Sequence, residues 1–272
     1  MSVVLAPPPA SWVRSFGKSV RLLGSRTVTM SIVELQKIRS DNTELFTRMV
    51  QPALWLLIFG QIFSRIRAIP TGDLPYLAYL TPGILAQSAL FVSIFYGIQI
   101  IWDRDAGILT KVMVTPTPRA AIVLAKSFAA GLRGLSPVVV LIPMALLLGV
   151  AITANPLRIV AAAVALLLSA GFFACLSMAI AGIAQTRDRL MGIGQLMTMP
   201  LFFASNALYP IEIMPGWLQV ISRINPLTYL TNALRGLLVG AQANLWVDFG
   251  VLVTAFVIGI AAAAALLGKL VR

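Results

Sequence analysis

Six stretches of this sequence are apolar over lengths that match the thickness of a lipid bilayer. The hydrocarbon core is about 30 Å thick, so a helix that crosses it needs about 20 apolar residues. A helix also satisfies its backbone hydrogen bonds internally, which a segment in hydrocarbon must do. Only 11% of the residues are charged, against about 25% in ordinary globular domains. We therefore predict an all-α integral membrane protein with about six transmembrane helices, at residues 46–63, 78–102, 134–152, 159–184, 190–208 and 247–267.

The residues before the first span predict a tail that stays on one side of the membrane. Residues 1–45 lack an apolar run long enough for a cleavable signal. Apolar residues recur at helical spacing over 11–23 and again over 28–39, which predicts amphipathic helices on the membrane surface. A solvated tail is the alternative for the first of these. The six-span domain then covers residues 46–268, and residues 269–272 form a short end.

Two regions of the six-span domain depart from simple crossing helices. The third helix is predicted to start near Ala120, and it still carries Lys126 and Arg133, so it should project beyond the membrane before entering it. Residues 209–244 are apolar but are interrupted by proline and glycine. This pattern predicts two short helices that dip into the outer leaflet or lie on it, at 217–224 and 227–239.

The distribution of basic residues predicts the orientation of the chain. If both termini lie inside, 16 of the 21 lysines and arginines fall in inner segments and 5 in outer segments. Basic residues are enriched on the cytoplasmic side of membrane proteins. We therefore place both termini and residues 103–119 in the cytoplasm, with the protein in a bacterial plasma (inner) membrane.

Residues 103–119 form a charged, glycine-containing segment between two apolar runs. Asp103, Gly107 and Lys111 stand at i, i+4 and i+8, so a helix would align them on one face. Leu109 and Met113 form an apolar pair beside them. A short cytoplasmic helix of this kind could dock in a groove of a soluble subunit, with apolar anchors and a charged rim. An ordinary cytosolic loop is the alternative.

The composition argues against several other classes of protein. The chain has no histidine and one cysteine, Cys175, and no constellation typical of a catalytic or metal site is apparent. The nine acidic residues fall in loops or near span ends, which argues against an ion-coupled secondary transporter unless Asp248 lies deeper than its position suggests. A membrane assembly protein remains an open alternative.

Several motifs occur in a fixed order along the chain: YLTPGILA at 79–86, DRDAGIL at 103–109, TPTPR at 115–119, the stretch Pro210–Pro215, NPLTY at 225–229, and Arg235. This set resembles the motifs of the permease subunits of ABC-2 type exporters, which include daunorubicin-resistance permeases and polysaccharide or lipo-oligosaccharide permeases. The resemblance covers most of the chain.

The resemblance implies that two permeases pair, as a homodimer or with a sister permease, above two copies of a separate ABC ATPase subunit. The chain has no P-loop pattern, so ATP and Mg²⁺ would be used by that partner and no cofactor would be bound here. The implied cargo is a hydrophobic drug-like or lipid-type molecule exported by alternating access, with a polysaccharide or lipo-oligosaccharide as the alternative. The residues implied in ATPase coupling are Asp103, Arg104, Asp105, Gly107, Leu109, Lys111, Met113, Arg119, Arg187 and Asp188.

Polar and aromatic residues inside the predicted spans are candidates for a substrate path. The hypothesis is that they line a passage between paired subunits, and the alternative is that the polar ones only form hydrogen bonds between helices. The candidates are Gln87, Phe91, Phe95, Gln195, Phe202 and Asn206. The family's outer-segment motif corresponds to Asn225, Pro226, Tyr229 and Arg235.

Overall fold

The computed structural model describes residues 27–29, 31–32, 49–66, 69–72, 74–109, 111, 118–184 and 186–268. Within these residues the regular elements are helices, and no strand occurs among them. The predicted helix over 11–23, most of the helix over 28–39, and residues Met113 and 269–272 lie outside the described residues.

Among the residues that the structure describes, four helical segments are long and apolar enough to cross a membrane. They are α2 (Tyr76–Asp105), the nearly continuous pair α3 (Arg119–Gly134) and α4 (Ser136–Leu147), α5 (Pro156–Ala184), and α9 (Leu245–Leu267). The predicted second, third, fourth and sixth spans all fall on them. As predicted, α3 begins well before the lipid-compatible part of the third span.

The first and fifth predicted spans are also helical in the residues that the structure describes. Residues 49–66 form α1, which includes a π-helical turn at Trp55–Phe59, and Arg187–Phe203 form α6. The 17 residues of α6 extend about 26 Å at 1.5 Å per residue, a little less than the hydrocarbon core. The six-span count therefore stays a prediction.

The end predicted for the fifth span is wrong by several residues. Residues 204–208 leave the helix and form turns. The carbonyl groups of Leu201, Ala204, Asn206 and Ala207 accept hydrogen bonds from side chains elsewhere in the chain. Those bonds replace the ones that a continuing helix would have made.

The centre of the protein is α5, which packs against α2, α3 and α9. Small residues permit these contacts, as is usual between helices in membranes. At Gly97 of α2, an added Cβ would overlap the side chain of Ser177 on α5. The Ser177 hydroxyl donates to the Ile94 carbonyl at 2.7 Å, so the two helices are joined by a hydrogen bond as well.

The two short helices predicted in the 209–244 segment are present, as α7 (Gly216–Ile224) and α8 (Pro226–Leu234). A π-helical turn at Arg235–Val239 continues α8. Neither helix is long enough to span a membrane. On α7, Trp217, Val220 and Ile224 are exposed, which suits a helix lying at a membrane interface.

Candidate functional site

The charged segment after α2 is not one continuous helix. Ala106 caps α2, and Gly107 has φ +71°, a left-handed conformation that glycine adopts readily. The predicted alignment of Asp103, Gly107 and Lys111 on one helical face is therefore wrong. Nothing in the described part of the chain lies within 4 Å of where a Gly107 Cβ would be. In this structure glycine is needed for its backbone conformation.

Asp103 faces the interior of the protein. Its carboxylate forms an ion pair with Lys126 of α3, and both side chains are nearly buried. The pair fastens the end of α2 to α3. Asp103 therefore does not belong to the exposed charged rim predicted from the sequence.

Asp105 joins the end of α2 to the start of α6. One carboxylate oxygen accepts hydrogen bonds from Arg104 at 2.8 and 3.0 Å, and the other lies 3.0 Å from Arg187. The Arg187 guanidinium also lies 5.8 Å from the centre of the Trp102 ring. The structure thus brings together the 103–119 segment and the start of α6, which lie far apart in the sequence.

The apolar residue predicted to contact a partner, Leu109, is buried in the structure, and other apolar residues are exposed in its place. Leu109 is only 2% exposed and belongs to an apolar cluster with Ile101, Ile122, Leu190 and Leu267. Leu109 is therefore part of the protein's own core, and its predicted role as a docking anchor is wrong. Ile108 and Trp102 are the exposed apolar side chains here, at 44% and 47%.

Four helices contribute to this end of the protein. The Arg119 guanidinium, at the start of α3, lies where a Cβ on Gly268 would be, against the C-terminal end of α9. A cation at that position is stabilised by the helix dipole. Lys111 and Asp188 are exposed. We call the set that lies at the ends of α2, α3, α6 and α9 the charged surface: Trp102, Arg104, Asp105, Ile108, Lys111, Arg119, Arg187 and Asp188.

At the opposite end of α2, Arg235 holds three segments together. It is 5% exposed, its Nε donates to the Tyr79 carbonyl at 3.1 Å, and its Nη2 donates to the carbonyls of Asn206 and Ala207. Its guanidinium carbon lies 3.4 Å from the centre of the Tyr79 ring. Burial lowers the pKa of Arg235 to about 10, so it remains protonated at neutral pH.

Asn225 joins the end of α6 to the start of α8. Its side-chain oxygen accepts from the Leu227 amide at 3.0 Å, and its side-chain nitrogen donates to the carbonyls of Leu201 and Ala204 at 2.6 and 3.2 Å. Pro226 occupies the first turn of α8, where no amide hydrogen is needed. The Tyr229 hydroxyl donates to the Arg223 carbonyl at 2.6 Å.

The proline-glycine motif of α2 meets the same region. A Cβ on Gly83 would overlap the backbone carbonyl of Ala207, so glycine is required for this close approach. Two motifs more than a hundred residues apart in the sequence therefore form one structure. We call it the clasp: Tyr79, Gly83, residues 204–208, Asn225 and Arg235.

The six residues predicted to line a substrate path do not share one surface. Gln87, Phe91 and Phe95 line a crevice of about 120 Å³ between α2 and the start of α1. Gln195 is exposed on α6. Phe202 is fully buried, with its ring centre 6.0 Å from that of Trp55.

Asn206, the last of the six, is buried and belongs to the clasp, where its side-chain nitrogen donates to Asn232. The six residues are therefore not gathered on one surface of this chain, and their role in a passage between paired subunits stays a prediction.

Two buried ionisable residues are more prominent in the structure than the sequence suggested. Asp248 lies in the first turn of α9 yet is only 3% exposed, and its Oδ2 has no hydrogen-bond partner among the described residues. Arg133 of α3 lies 4.5 Å from the centre of the Tyr96 ring. Its spacing of seven residues from Lys126 places both on one face of α3, which is a signal that the sequence contained.

These features define a helical integral membrane protein with a charged surface at one end of its helices and a clasp at the other. The chain belongs to the ABC-2 type transporter family, whose model matches residues 26–239.

Named relatives are transport permeases. The chain is 31% identical to the transport permease ycf38 of Cyanophora paradoxa over 193 residues, which cover 70% of this chain and 66% of that protein. It is 26% identical to the daunorubicin resistance ABC transporter permease protein DrrB1 of Streptomyces coeruleorubidus, over 82% of this chain and 77% of the relative. It is 24% identical to the inner membrane transport permease YadH of Escherichia coli K12, over 81% and 89%.

Proposed function

We propose that this chain is the permease subunit of an ATP-driven exporter and that a separate ATPase subunit docks on the charged surface. The observation that carries the proposal is the convergence of exposed Trp102 and Ile108 with the Asp105–Arg187 ion pair. Exposed apolar side chains beside charged ones are typical of a protein interface. The relatives named as ABC transporter permeases support the same conclusion.

In the proposed mechanism, helix α2 connects the charged surface to the clasp. It has 30 residues, a length of about 45 Å, with the charged surface at its C-terminal end and Tyr79 and Gly83 of the clasp near its N-terminal end. The Asp103–Lys126 pair makes α3 move with α2. A force applied at the charged surface would therefore reach the end of α6 through the clasp, which would open or close the outward side.

A second permease would cover the apolar faces that this chain leaves open. On α6, buried residues recur every fourth position, while Leu196, Met199 and Phe203 are exposed. On α1, Ile58 and Ile62 are exposed as well. We propose that two permeases pair, as a homodimer or with a sister permease, each with six spans, both termini cytoplasmic, in a bacterial inner membrane.

The proposed cargo is a hydrophobic drug-like or lipid-type molecule. The crevice at Gln87 is lined by the apolar Phe91, Phe95 and Val92 together with the polar Gln51, Gln87 and Ser88, which suits an amphipathic molecule better than a fully hydrated one. A polysaccharide or lipo-oligosaccharide is the alternative.

An ion-coupled transporter is a second candidate, because Asp248 is buried rather than exposed at a span end. An ionisable residue buried in a membrane protein is a candidate site for ion coupling.

The docking proposal is tested by purifying the tagged chain from its native membranes and identifying retained proteins by mass spectrometry. We expect a P-loop ATPase with the wild type and its loss with Ile108→Glu, since a charge would enter the apolar part of the interface. Ile213→Glu is the matched control, because Ile213 is 50% exposed but lies in the 209–244 segment. Equal retention by the two variants would contradict docking at the charged surface.

A further inference from the structure

Arg133 is a buried cation for which the described residues supply no counter-ion. It is 7% exposed, its Nε has no hydrogen-bond partner in the described part of the chain, and its described contact is with the face of the Tyr96 ring. A charge in surroundings of low dielectric constant is normally paired with an opposite charge or bound by several hydrogen bonds. A contact with one aromatic ring is a weaker substitute for these.

The other two buried basic residues of the described chain are each bound by several groups or by an opposite charge. Lys126 forms an ion pair with Asp103. Arg235 donates to three backbone carbonyls and lies over Tyr79. Arg133 therefore differs from both in leaving most of its donors unused by the described residues.

Residues next to Arg133 and next to its ring partner Tyr96 line the crevice at Gln87. Pro137, one helical turn after Arg133, lines that crevice, and so does Val92, one turn before Tyr96. The Gln87 and Gln99 side chains each have an oxygen without a partner in the described part of the protein. Because the oxygen and nitrogen of a glutamine amide can exchange places, these side chains can also act as donors.

We propose that Arg133 binds the anionic headgroup of an amphiphile, a phosphate or a carboxylate, whose apolar tail lies along Phe91 and Phe95. The guanidinium fork matches two oxygens of such a group. This inference rests on the proposed function where it assigns the anion to the exported molecule. A membrane lipid would present the same chemistry, so the site and its occupant are tested separately.

Binding is measured with the permease–ATPase complex in phosphatidylcholine nanodiscs, with a fluorescent dodecyl phosphate as the probe. We expect Arg133→Gln to weaken binding about tenfold or more, the usual effect of losing hydrogen bonds to a charged group. An equally labelled dodecyltrimethylammonium should bind equally to both proteins. Arg158→Gln is the control, because Arg158 is exposed, and it should change neither. Unchanged binding of the phosphate probe by Arg133→Gln overturns the proposal.

Thermal unfolding separates a binding role from a structural one. Without the probe, Arg133→Gln should unfold at the wild-type temperature or above it, because it removes a buried charge that lacks a protein partner. The probe should raise the unfolding temperature of the wild type and leave that of the variant unchanged. A variant that is less stable without the probe would make Arg133 a structural residue and refute the site.

ATP then distinguishes the sources of the anion. ATP-dependent release of the bound probe across the membrane identifies it as cargo. A probe that stays bound during ATP hydrolysis and is displaced by phosphatidylglycerol identifies a resident lipid. Binding is measured without ATP and so does not depend on the proposed function. If the chain binds the probe but no partner hydrolyses ATP with it, the anion site is supported and only the proposed function is contradicted.

Discussion

Substitution of Gly107 separates two explanations for the glycine at the end of α2. One explanation is that glycine lets a partner approach closely, and the other is that it permits the left-handed backbone, with open space around it, that the structure shows. The left-handed conformation costs a residue with a Cβ about 1–2 kcal/mol. Asparagine tolerates it better than other such residues. If the backbone conformation matters, the affinity for the ATPase should fall in the order Gly, Asn, Ala. If the size of the side chain matters, it should fall in the order Gly, Ala, Asn.

The measurement is the affinity of the ATPase for the permease with Gly107→Asn and Gly107→Ala. If docking requires the turn seen here, a cost of 1–2 kcal/mol weakens the affinity of the alanine variant about 5- to 30-fold, and the asparagine variant lies between it and the wild type. An alanine variant that binds better than the asparagine variant would refute this explanation and restore close approach as the reason for glycine.

Two further substitutions test the contacts at the two ends of α2. Lys126→Met leaves the Asp103 carboxylate buried beside an apolar side chain, so we expect a loss of about 3–5 kcal/mol in unfolding free energy. Addition of Asp103→Leu to this variant should recover most of the lost stability. If it recovers none, the broken ion pair is not the cause of the loss. Gly83→Ala forces a methyl group into the Ala207 carbonyl and should cost about 1–3 kcal/mol, measured by thermal unfolding. Gly192→Ala is its control, because a Cβ there meets nothing within 4 Å; equal stability of the two alanine variants would show that the clasp tolerates the methyl group.

Local sequence patterns predicted the helices well because apolar length and interruption by proline or glycine are local signals. The sequence predicted 159–184 and 247–267 as spans, and the helices are Pro156–Ala184 and Leu245–Leu267. The short helices around Asn225 and Pro226 were predicted for the same reason. The prediction failed for residues 204–208, because the hydrogen bonds that end α6 come from Asn225 and Arg235, far along the chain.

The candidate site was less predictable because it depends on which side of a helix faces the core. Ile108 and Leu109 are adjacent and chemically alike, yet one is exposed and the other buried. The left-handed turn at Gly107 determines that difference, and spacing alone could not show it. The Asp103–Lys126 pair was hidden for a similar reason, since its partners are 23 residues apart on different helices.

The proposed energy source is tested most directly by transport into inverted membrane vesicles that contain the permease and its ATPase. The probe is the fluorescent dodecyl phosphate, whose negative charge prevents passive accumulation in an acidic vesicle, measured with ATP in the presence of an ionophore and separately with a proton gradient in the absence of ATP. We expect uptake that requires ATP and persists when the ionophore has removed every ion gradient. Uptake driven by the proton gradient alone and abolished by the ionophore would contradict this expectation and would direct attention to Asp248.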